Sequence, residues 1–294
     1  MVADPLVSVA MSVYNAAATV ELAFRSILRQ TFDKWELIVV DDGSTDSTPD
    51  ILARVRDSRI RIVQEPRGNL GLAPRLNQCV QFARGPYVAR MDADDIAYPR
   101  RLEQQVRFLD AHPEIDLVGT GAVVFKGAGE VVGCYPTACM HEAICRRPWW
   151  GFPLAHPTWM GRRTWFVSHP YPEGCLRCED QALLLKSFSD SRFAALDEVL
   201  LGYRLDGISA RKMGQGRLNY CRQLVQQAGD VPSALAAARG VVVHGLAFGR
   251  DALFTAMKTM NRRSRQSFQV ASDPVRHEWH KIWSDIASEV VAVG

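Results

Sequence analysis

An α/β fold, with a mostly parallel sheet flanked by helices and a C-terminal helical extension, is what these 294 residues predict. Three observations predict it. Short, near-continuous apolar runs alternate with amphipathic stretches over the first 120 residues, as buried parallel strands and their crossover helices require. Polar clusters follow the first, second and fourth runs, at the strand ends where open α/β sheets bind ligands. From Gln215 onward the alternation stops and only helical periodicity remains.

The elements follow in order. Val7 to Val13 is a β-branched apolar run and reads as a strand. Val20, Ala23, Phe24, Ile27 and Leu28 then recur with helical spacing. Leu37 to Val40 is a second buried strand, and Thr48-Pro49 marks a helix start with a hydroxyl cap and a first-turn proline. Ile60 to Val63 is a short third strand. Leu72, Leu76, Cys79, Val80 and Ala83 stripe a helix that Gly85 closes. Tyr87 to Met91 is the fourth strand; Pro99 opens a helix with Leu102, Val106 and Leu109 on one face, and Ile115 to Val118 is a fifth strand. Beyond 215, Leu224, Val225 and Ala228 mark one helix and Leu246 to Met260 another. Trp279, Ile282, Trp283, Ile286 and Val290 mark a last one.

Composition sets outer limits. With 47% hydrophobic residues the chain can bury one large core, or a domain plus an appendage. A net charge of +3 is too mild to argue for nucleic acid. The start Met1-Val2-Ala3-Asp4-Pro5 lacks the basic and apolar pattern of a signal peptide. The best candidate for a membrane span, Ala234 to Phe248, is short and interrupted by Arg239 and His244. A cytoplasmic protein is therefore expected, at most peripheral at the inner face of the cell membrane.

The seven cysteines are expected as free thiols. Cys175-Leu176-Arg177-Cys178 has zinc-knuckle spacing, but the second pair that structural zinc needs is missing. Neither G-x-G-x-x-G nor G-x-x-x-x-G-K-S/T occurs, which argues against a nicotinamide enzyme and a P-loop NTPase.

The most informative segment is Asp92-Ala93-Asp94-Asp95, directly after the fourth strand. Three carboxylates at a strand end repel one another unless water or a cation screens them. A hard divalent ion, Mn²⁺ or Mg²⁺, would relieve that repulsion and keep positions open for phosphate oxygens. An acidic loop that caps the helix at Pro99 is the alternative, and the tetrapeptide alone leaves both open.

Other motifs accompany it: Val7 to Asn15, Leu37-Ile38-Val39-Val40-Asp41-Asp42-Gly43-Ser44, Pro99-Arg100-Arg101-Leu102-Glu103, His156-Pro157-Thr158, Glu179-Asp180 and Tyr203-Arg204. In order and spacing they resemble family 2 glycosyltransferases, above all the bacterial branch that builds capsular, exopolysaccharide and O-antigen chains. The resemblance covers about the first two-thirds of the chain, where several independent motifs occur in order. It implies a GT-A fold, a Rossmann-like sheet. A catalytic domain is expected over 1–214, with a nucleotide-sugar half (1–120) and an acceptor half (121–214), and a helical region over 215–294.

The resemblance also implies roles. Ser12, Tyr14 and Asp42 match the uridine-binding set; Tyr14 offers a face for the base to stack on, although by itself it reads equally as a half-buried aromatic. Asp92 matches the carboxylate that faces ribose and Asp94 the one that binds metal, with Asp95 joining it or capping the next segment. Arg75 lies one place from a family arginine. Asp180 matches the general base that deprotonates the acceptor hydroxyl in a single, inverting displacement; locally, Glu179 and Asp180 read also as carboxylates favoured in a helix's first turn. His156, Trp150 and Glu179 fall on the acceptor side. Many relatives carry a metal-reaching histidine where this chain has Asp206, and a carboxylate there could still ligate the ion.

The implied activity moves a sugar from a nucleotide-diphosphate donor, UDP-linked by expectation, to a hydroxyl of a saccharide acceptor, expected to be lipid-linked. Two alternatives remain: a sugar-phosphate nucleotidyltransferase, which would need a Gly- and Lys-rich loop where Tyr14-Asn15-Ala16-Ala17-Ala18 stands, and a degenerate transferase acting as an assembly partner. The basic run Asn261-Arg262-Arg263-Ser264-Arg265 and exposed tryptophans in the last helix fit peripheral membrane association through the C-terminal helices. A helical hairpin packed on the catalytic domain, with a solvated basic face, is the plainer expectation.

Overall fold

The first strand, β1 (Val7–Val13), lies in the middle of a parallel set with β2 (Trp35–Asp41) on one side. Helix α1 (Val20–Leu28) makes the crossover, burying Val20, Ala23, Phe24 and Ile27 against the sheet. Helix α2 (Thr48–Leu52) leads to β3 (Ile60–Gln64), which extends the sheet beyond β2. The Thr48 hydroxyl is not the cap expected for α2. It accepts the Ala16 amide at 2.8 Å, while Asp46 Oδ1 accepts the Thr48 amide at 2.9 Å. The computed structural model describes residues 4–65, 68–206, 210–229, 231–256 and 268–288.

Helix α3 (Leu72–Phe82) then carries the chain back across, so that β4 (Tyr87–Arg90) pairs parallel to β1 on its other side. The direction of winding reverses between β1 and β4, which makes their carboxyl ends the switch point where such sheets bind ligands. After the two-residue β5 (Ile96–Ala97) comes α4 (Arg101–Ala111), with Leu102, Val106 and Leu109 buried as the sequence predicts.

The second half of the sheet is mixed. β6 (Leu117–Lys126) begins two residues after the expected Ile115, whose amide closes a turn on the His112 carbonyl at 3.0 Å. β7 (Glu130–Cys134) forms a hairpin on β6. A short helix α5 (His141–Ile144) and a single turn at His156–Thr158 precede β8 (Met160–Arg162), which wedges antiparallel between β4 and β6. Helices α6 (Arg163–Ser168) and α7 (Glu179–Ser187) lead to β9 (Phe193–Arg204), parallel to β6, with β5 on its far edge. The full order is β3-β2-β1-β4-β8-β6-β9-β5.

Alternation along β1 and β2 sends Val7, Val9, Met11, Leu37 and Val39 to the face under α1 and α4. Ala10, Ile38 and Val40 go to the opposite face, with α3, Trp159, Trp165 and Phe193. Both faces are covered, which is why the strands read as unbroken apolar runs.

Helices α8 (Ala210–Gln226) and α9 (Val231–Ala256) form an antiparallel hairpin; α8 spans the expected boundary at 214. Tyr220, Leu224 and Ala237 anchor the hairpin in the core on the α3 face. Helix α10 (Asp273–Ala287) returns to the sheet on its own. Here the expectation of exposed tryptophans is corrected. Trp279 has 0% exposure, its ring 4.6 Å from that of Phe125, and its Nε1 donates to the Gly129 carbonyl at 2.8 Å. Trp283 is partly buried against the same cluster. A Cβ on Gly202 would sit 2.2 Å from the Trp279 ring, so only glycine lets β9 approach it. The ring system is large and apolar and its one polar atom finds a partner, so burial outweighs any lipid role for it. The run Asn261 to Arg265 lies outside the described residues.

Candidate active site

An open cleft of about 560 Å³ lies at the β1/β4 switch point, lined by Ser12, Tyr14, Asn15, Thr19, Asp92, Asp94, Arg204 and Asp206. The loop after β1 is shaped by Asn15, which adopts φ +50°, a left-handed conformation that asparagine tolerates. Asn15 Oδ1 accepts the Thr45 amide at 2.8 Å and the Asn15 amide donates to Ser44 Oγ at 2.9 Å. The loops after β1 and β2 are thereby locked together, and Tyr14 is left about half exposed at the cleft wall. Gly43 has φ +76°, and a Cβ there would meet the Gly68 backbone at 3.0 Å.

One carboxylate oxygen from each of Asp92, Asp94 and Asp95 lies within 4.8 Å of the others. Burial and then the Asp92 charge push Asp94 up to about 6. Burial, followed by the charges of Asp94 and Asp92, holds Asp95 well above the usual carboxylate range. Asp95 Oδ1 accepts the Arg204 amide at 2.8 Å, whereas its buried Oδ2 has no hydrogen-bond partner among the described residues. An orphaned, buried oxygen in a crowded acidic set is what a hard cation would satisfy.

Two arginines complete the site: Arg90, which motif reading does not single out, and Arg204, which it quotes within Tyr203-Arg204 without assigning it a role. Arg90, at the end of β4, is buried and ion-paired with Asp92, while its Nε has no hydrogen-bond partner among the described residues. Burial, the largest single influence, would lower its pKa, but the charge and hydrogen bond of Asp92 together with the Tyr171 and Asp95 charges outweigh it and the net shift is upward. The Arg90 charge also reaches Asp94, Asp95, Glu179 and Asp180. Its sequence signal was a lone cation inside an apolar strand run, a placement that needs a paired anion. Arg204 closes the cleft from β9: its Nε donates to the Asp94 carbonyl at 2.8 Å and its Nη1 to the Gly127 carbonyl at 2.9 Å.

The arrangement predicts a pH-dependent cost for Arg90→Met. Without the guanidinium, five carboxylates lose their shared counter-charge, a loss of about 3–5 kcal/mol when they are ionised. The variant raises the folded-state pKa values of Asp94, Asp95, Glu179 and Asp180 further. Its deficit is therefore full at pH 8 and shrinks as falling pH protonates them. Urea unfolding at pH 8 and pH 5 checks this; an equal deficit at both would mean that Arg90 acts through packing alone.

Across the Arg90 charge lie the residues expected on the acceptor side. Glu179 and Asp180 open α7; Glu179 is buried, Asp180 partly so, and burial raises both pKa values. Gln181 ties Asp180 to the preceding loop, donating to Asp180 Oδ2 at 3.3 Å and accepting the Phe152 amide at 2.7 Å. His156 Nε2 is 2.8 Å from Tyr171 Oη, and burial together with the Arg90 charge holds it neutral. Trp150 lies against the helical hairpin, its ring stacked on His244 of α9.

The remaining expected residues fall elsewhere. Asp42 and Arg75 do not line the cleft; they form one buried pair at 2.6 Å, and Asp42 also accepts the Leu70 and Gly71 amides, both at 2.8 Å. Asp206 lines the cleft but stands apart from the acidic set, held by Arg204 Nη1 at 3.2 Å and the Gly127 amide. The seven cysteines are free thiols. Among the described residues, Asp92, Asp94 and Asp95 form the one cluster with metal-ligand spacing, and the Cys175–Cys178 pair gathers no zinc set.

Sheet order and the cleft at the switch point are those of the GT-A fold. The chain belongs to glycosyltransferase family 2, whose model matches residues 8–168. It is 44% identical over 213 residues to EpsE of Bacillus subtilis (strain 168), across 70% of this chain and 75% of that protein. A shorter match, 37% over 106 residues, joins 36% of this chain to 42% of WfgD of Escherichia coli. That protein is a UDP-Glc:alpha-D-GlcNAc-diphosphoundecaprenol beta-1,3-glucosyltransferase. Among solved structures, S. aureus TarS 1-349 in complex with UDP-GlcNAc superposes with a TM-score of 0.64. It is 19% identical over 95% of this chain and 80% of that one, a likeness of fold. Family membership sets aside the nucleotidyltransferase alternative.

Proposed function

We propose that this protein is an inverting, metal-dependent glycosyltransferase that transfers a sugar from a UDP-sugar to a hydroxyl of a lipid-linked saccharide, in bacterial surface polysaccharide synthesis at the cytoplasmic face of the membrane. The observation that carries it is the cleft at the switch point, with Tyr14 on one wall and Asp92, Asp94 and Arg204 on the floor. The UDP-Glc donor and diphosphoundecaprenol acceptor in the name of WfgD support the choice of substrates. Among the described residues no helix is long and apolar enough to cross a membrane, so a lipid-linked acceptor would be met at the surface.

Tyr14 would stack on the base and Asp92 would face the ribose. Asp42, its carboxylate fixed by Arg75 and two amides, would set the loop bordering the base. Asp94 and Asp95 would hold Mn²⁺ or Mg²⁺, since hard oxygens in a partly buried anionic set fit such an ion. When bound, the ion offsets negative charge on the departing diphosphate. Arg204 supplies fixed positive charge beside the same position. Asp180, its pKa raised by burial, is a better proton acceptor than an ordinary carboxylate. It would take the acceptor hydroxyl's proton as that oxygen bonds the anomeric carbon and the carbon–oxygen bond to phosphate breaks. One displacement inverts the anomeric centre. Asp206, salt-bridged to Arg204, would tune that arginine or reach the ion through a shifted rotamer.

Thermal melting with nucleoside diphosphates tests this reading. UDP with Mn²⁺ at 100-fold over Kd should stabilise the protein by about 2.7 kcal/mol, a rise of several degrees that chelator removes. Release of UDP from a panel of UDP-, GDP- and dTDP-sugars then identifies the donor. A degenerate transferase would bind without turnover, and absence of any metal-dependent shift would sink the proposal.

A further inference from the structure

The outer face of the α8–α9 hairpin is built against the usual pattern of a surface helix. Ala237, Gly240, His244 and Ala247 form the buried stripe of α9, so the opposite stripe should be polar. It is apolar instead: Leu235, Val242 and Leu246 are 65%, 61% and 72% exposed. Between Ala234 and Gly249 the single charged residue is Arg239. Val225 of α8 borders an open apolar groove with Ala238, Val241 and Val242, and Leu218 continues the exposed face about two turns away. A contiguous apolar face of this kind marks an interaction surface.

Charge identifies what covers it. The stretch 210–267 holds ten of the 35 Lys and Arg but two of the 32 Asp and Glu, leaving 25 basic against 30 acidic residues elsewhere. Arg211, Lys212 and Arg222 on α8 and Arg239 on α9 are exposed beside the apolar face. A second copy docked face to face would set these cations against their own kind. An anionic lipid surface attracts the cations and receives the apolar side chains at the headgroup boundary.

We propose that the α8–α9 hairpin seats on anionic lipid, with Leu235, Val242 and Leu246 entering the interface and the arginines of both helices meeting headgroup phosphates. Its purpose rests on the lipid-linked acceptor proposed above; its physics rests on this surface alone. Among the described residues no helix is both long and apolar enough for a span, so the proposal lays the hairpin on the bilayer surface. The hairpin is anchored in the core through Tyr220, Leu224 and Ala237, and Trp150 stacks on His244. Docking would therefore fix the loop that Gln181 ties to Asp180 with respect to the lipid plane.

Vesicle flotation of the full chain tests this. Vesicles of phosphatidylglycerol in phosphatidylcholine should carry the protein, and pure phosphatidylcholine vesicles should not. Val242→Asp with Leu246→Asp should weaken binding by about tenfold or more, as should Arg211→Glu with Arg222→Glu. Far-UV circular dichroism and the UDP-dependent melting shift should stay unchanged, because none of these residues lines the cleft. Failure to bind phosphatidylglycerol, or equal binding by the variants, overturns the proposal and leaves the donor site intact. So does a concentration-dependent dimer, measured by sedimentation, that Val242→Asp with Leu246→Asp abolishes; the face would then belong to a second copy.

Discussion

Asp180→Asn should lower turnover by about 10²-fold or more while donor affinity stays nearly unchanged, because the amide keeps the shape of the carboxylate but accepts no proton. Two features make this sharper than a generic loss of charge. Asp180 stands at the start of α7, where the helix dipole favours an anion, and the neutral variant gives up only the modest part of that interaction, about 0.3–1 kcal/mol. Its raised pKa means that the folded site already disfavours the ionised form, so folding should not suffer greatly. Steady-state kinetics with a saturating UDP-sugar, paired with UDP titration by melting, separates the outcomes. Equal loss of donor binding and turnover would show that Asp180 is a helix cap that shapes the cleft.

Asp94→Asn should have opposite effects on metal binding and on stability. Burial and the Asp92 charge push the Asp94 pKa up to about 6 in the metal-free protein. The folded state therefore holds this proton more tightly than the unfolded chain, and stability falls as pH rises from about 4 to about 6 and stays lower above it. Removing the charge should return about 1–2 kcal/mol at pH 8, after allowance for partial exposure, raising the melting temperature by a few degrees. The same variant should lose Mn²⁺-dependent stabilisation by UDP and nearly all turnover. In the wild type, protons and the cation compete for the site, so apparent Mn²⁺ affinity should weaken as pH drops below 6. A variant that is less stable than wild type at pH 8, yet keeps its metal dependence, would show that the carboxylate is a loop cap.

The first half of the fold was legible because its determinants are local. Strands β1, β2 and β4 are unbroken apolar runs, the helices between them carry clear stripes, and the carboxylates follow directly where β4 ends. The chain's own order therefore placed Tyr14 and Asp92 to Asp95 on one sheet edge. The mixed half was harder to read. β9 carries Asp197 and Glu198 in mid-strand, where its pairing with β6 slips around Gly121, and the three-residue β8 is too short to show a period.

Sequence by itself determined the α/β class, the family motifs and the acidic set at the strand end. Tertiary structure alone decided that Arg204 closes the cleft 110 positions after Asp94, that Arg90 is the cation shared by both acidic groups, and that Asp42 is saturated by Arg75 and two amides. It also decided the fate of the aromatic residues in α10, since Trp279 fills the space that Gly202 leaves open on β9. The physical reason is range. Apolar periodicity and strand-end polarity are written within a few consecutive residues. The partner of a buried charge and the cover of an apolar ring depend on which distant segments the sheet order brings together.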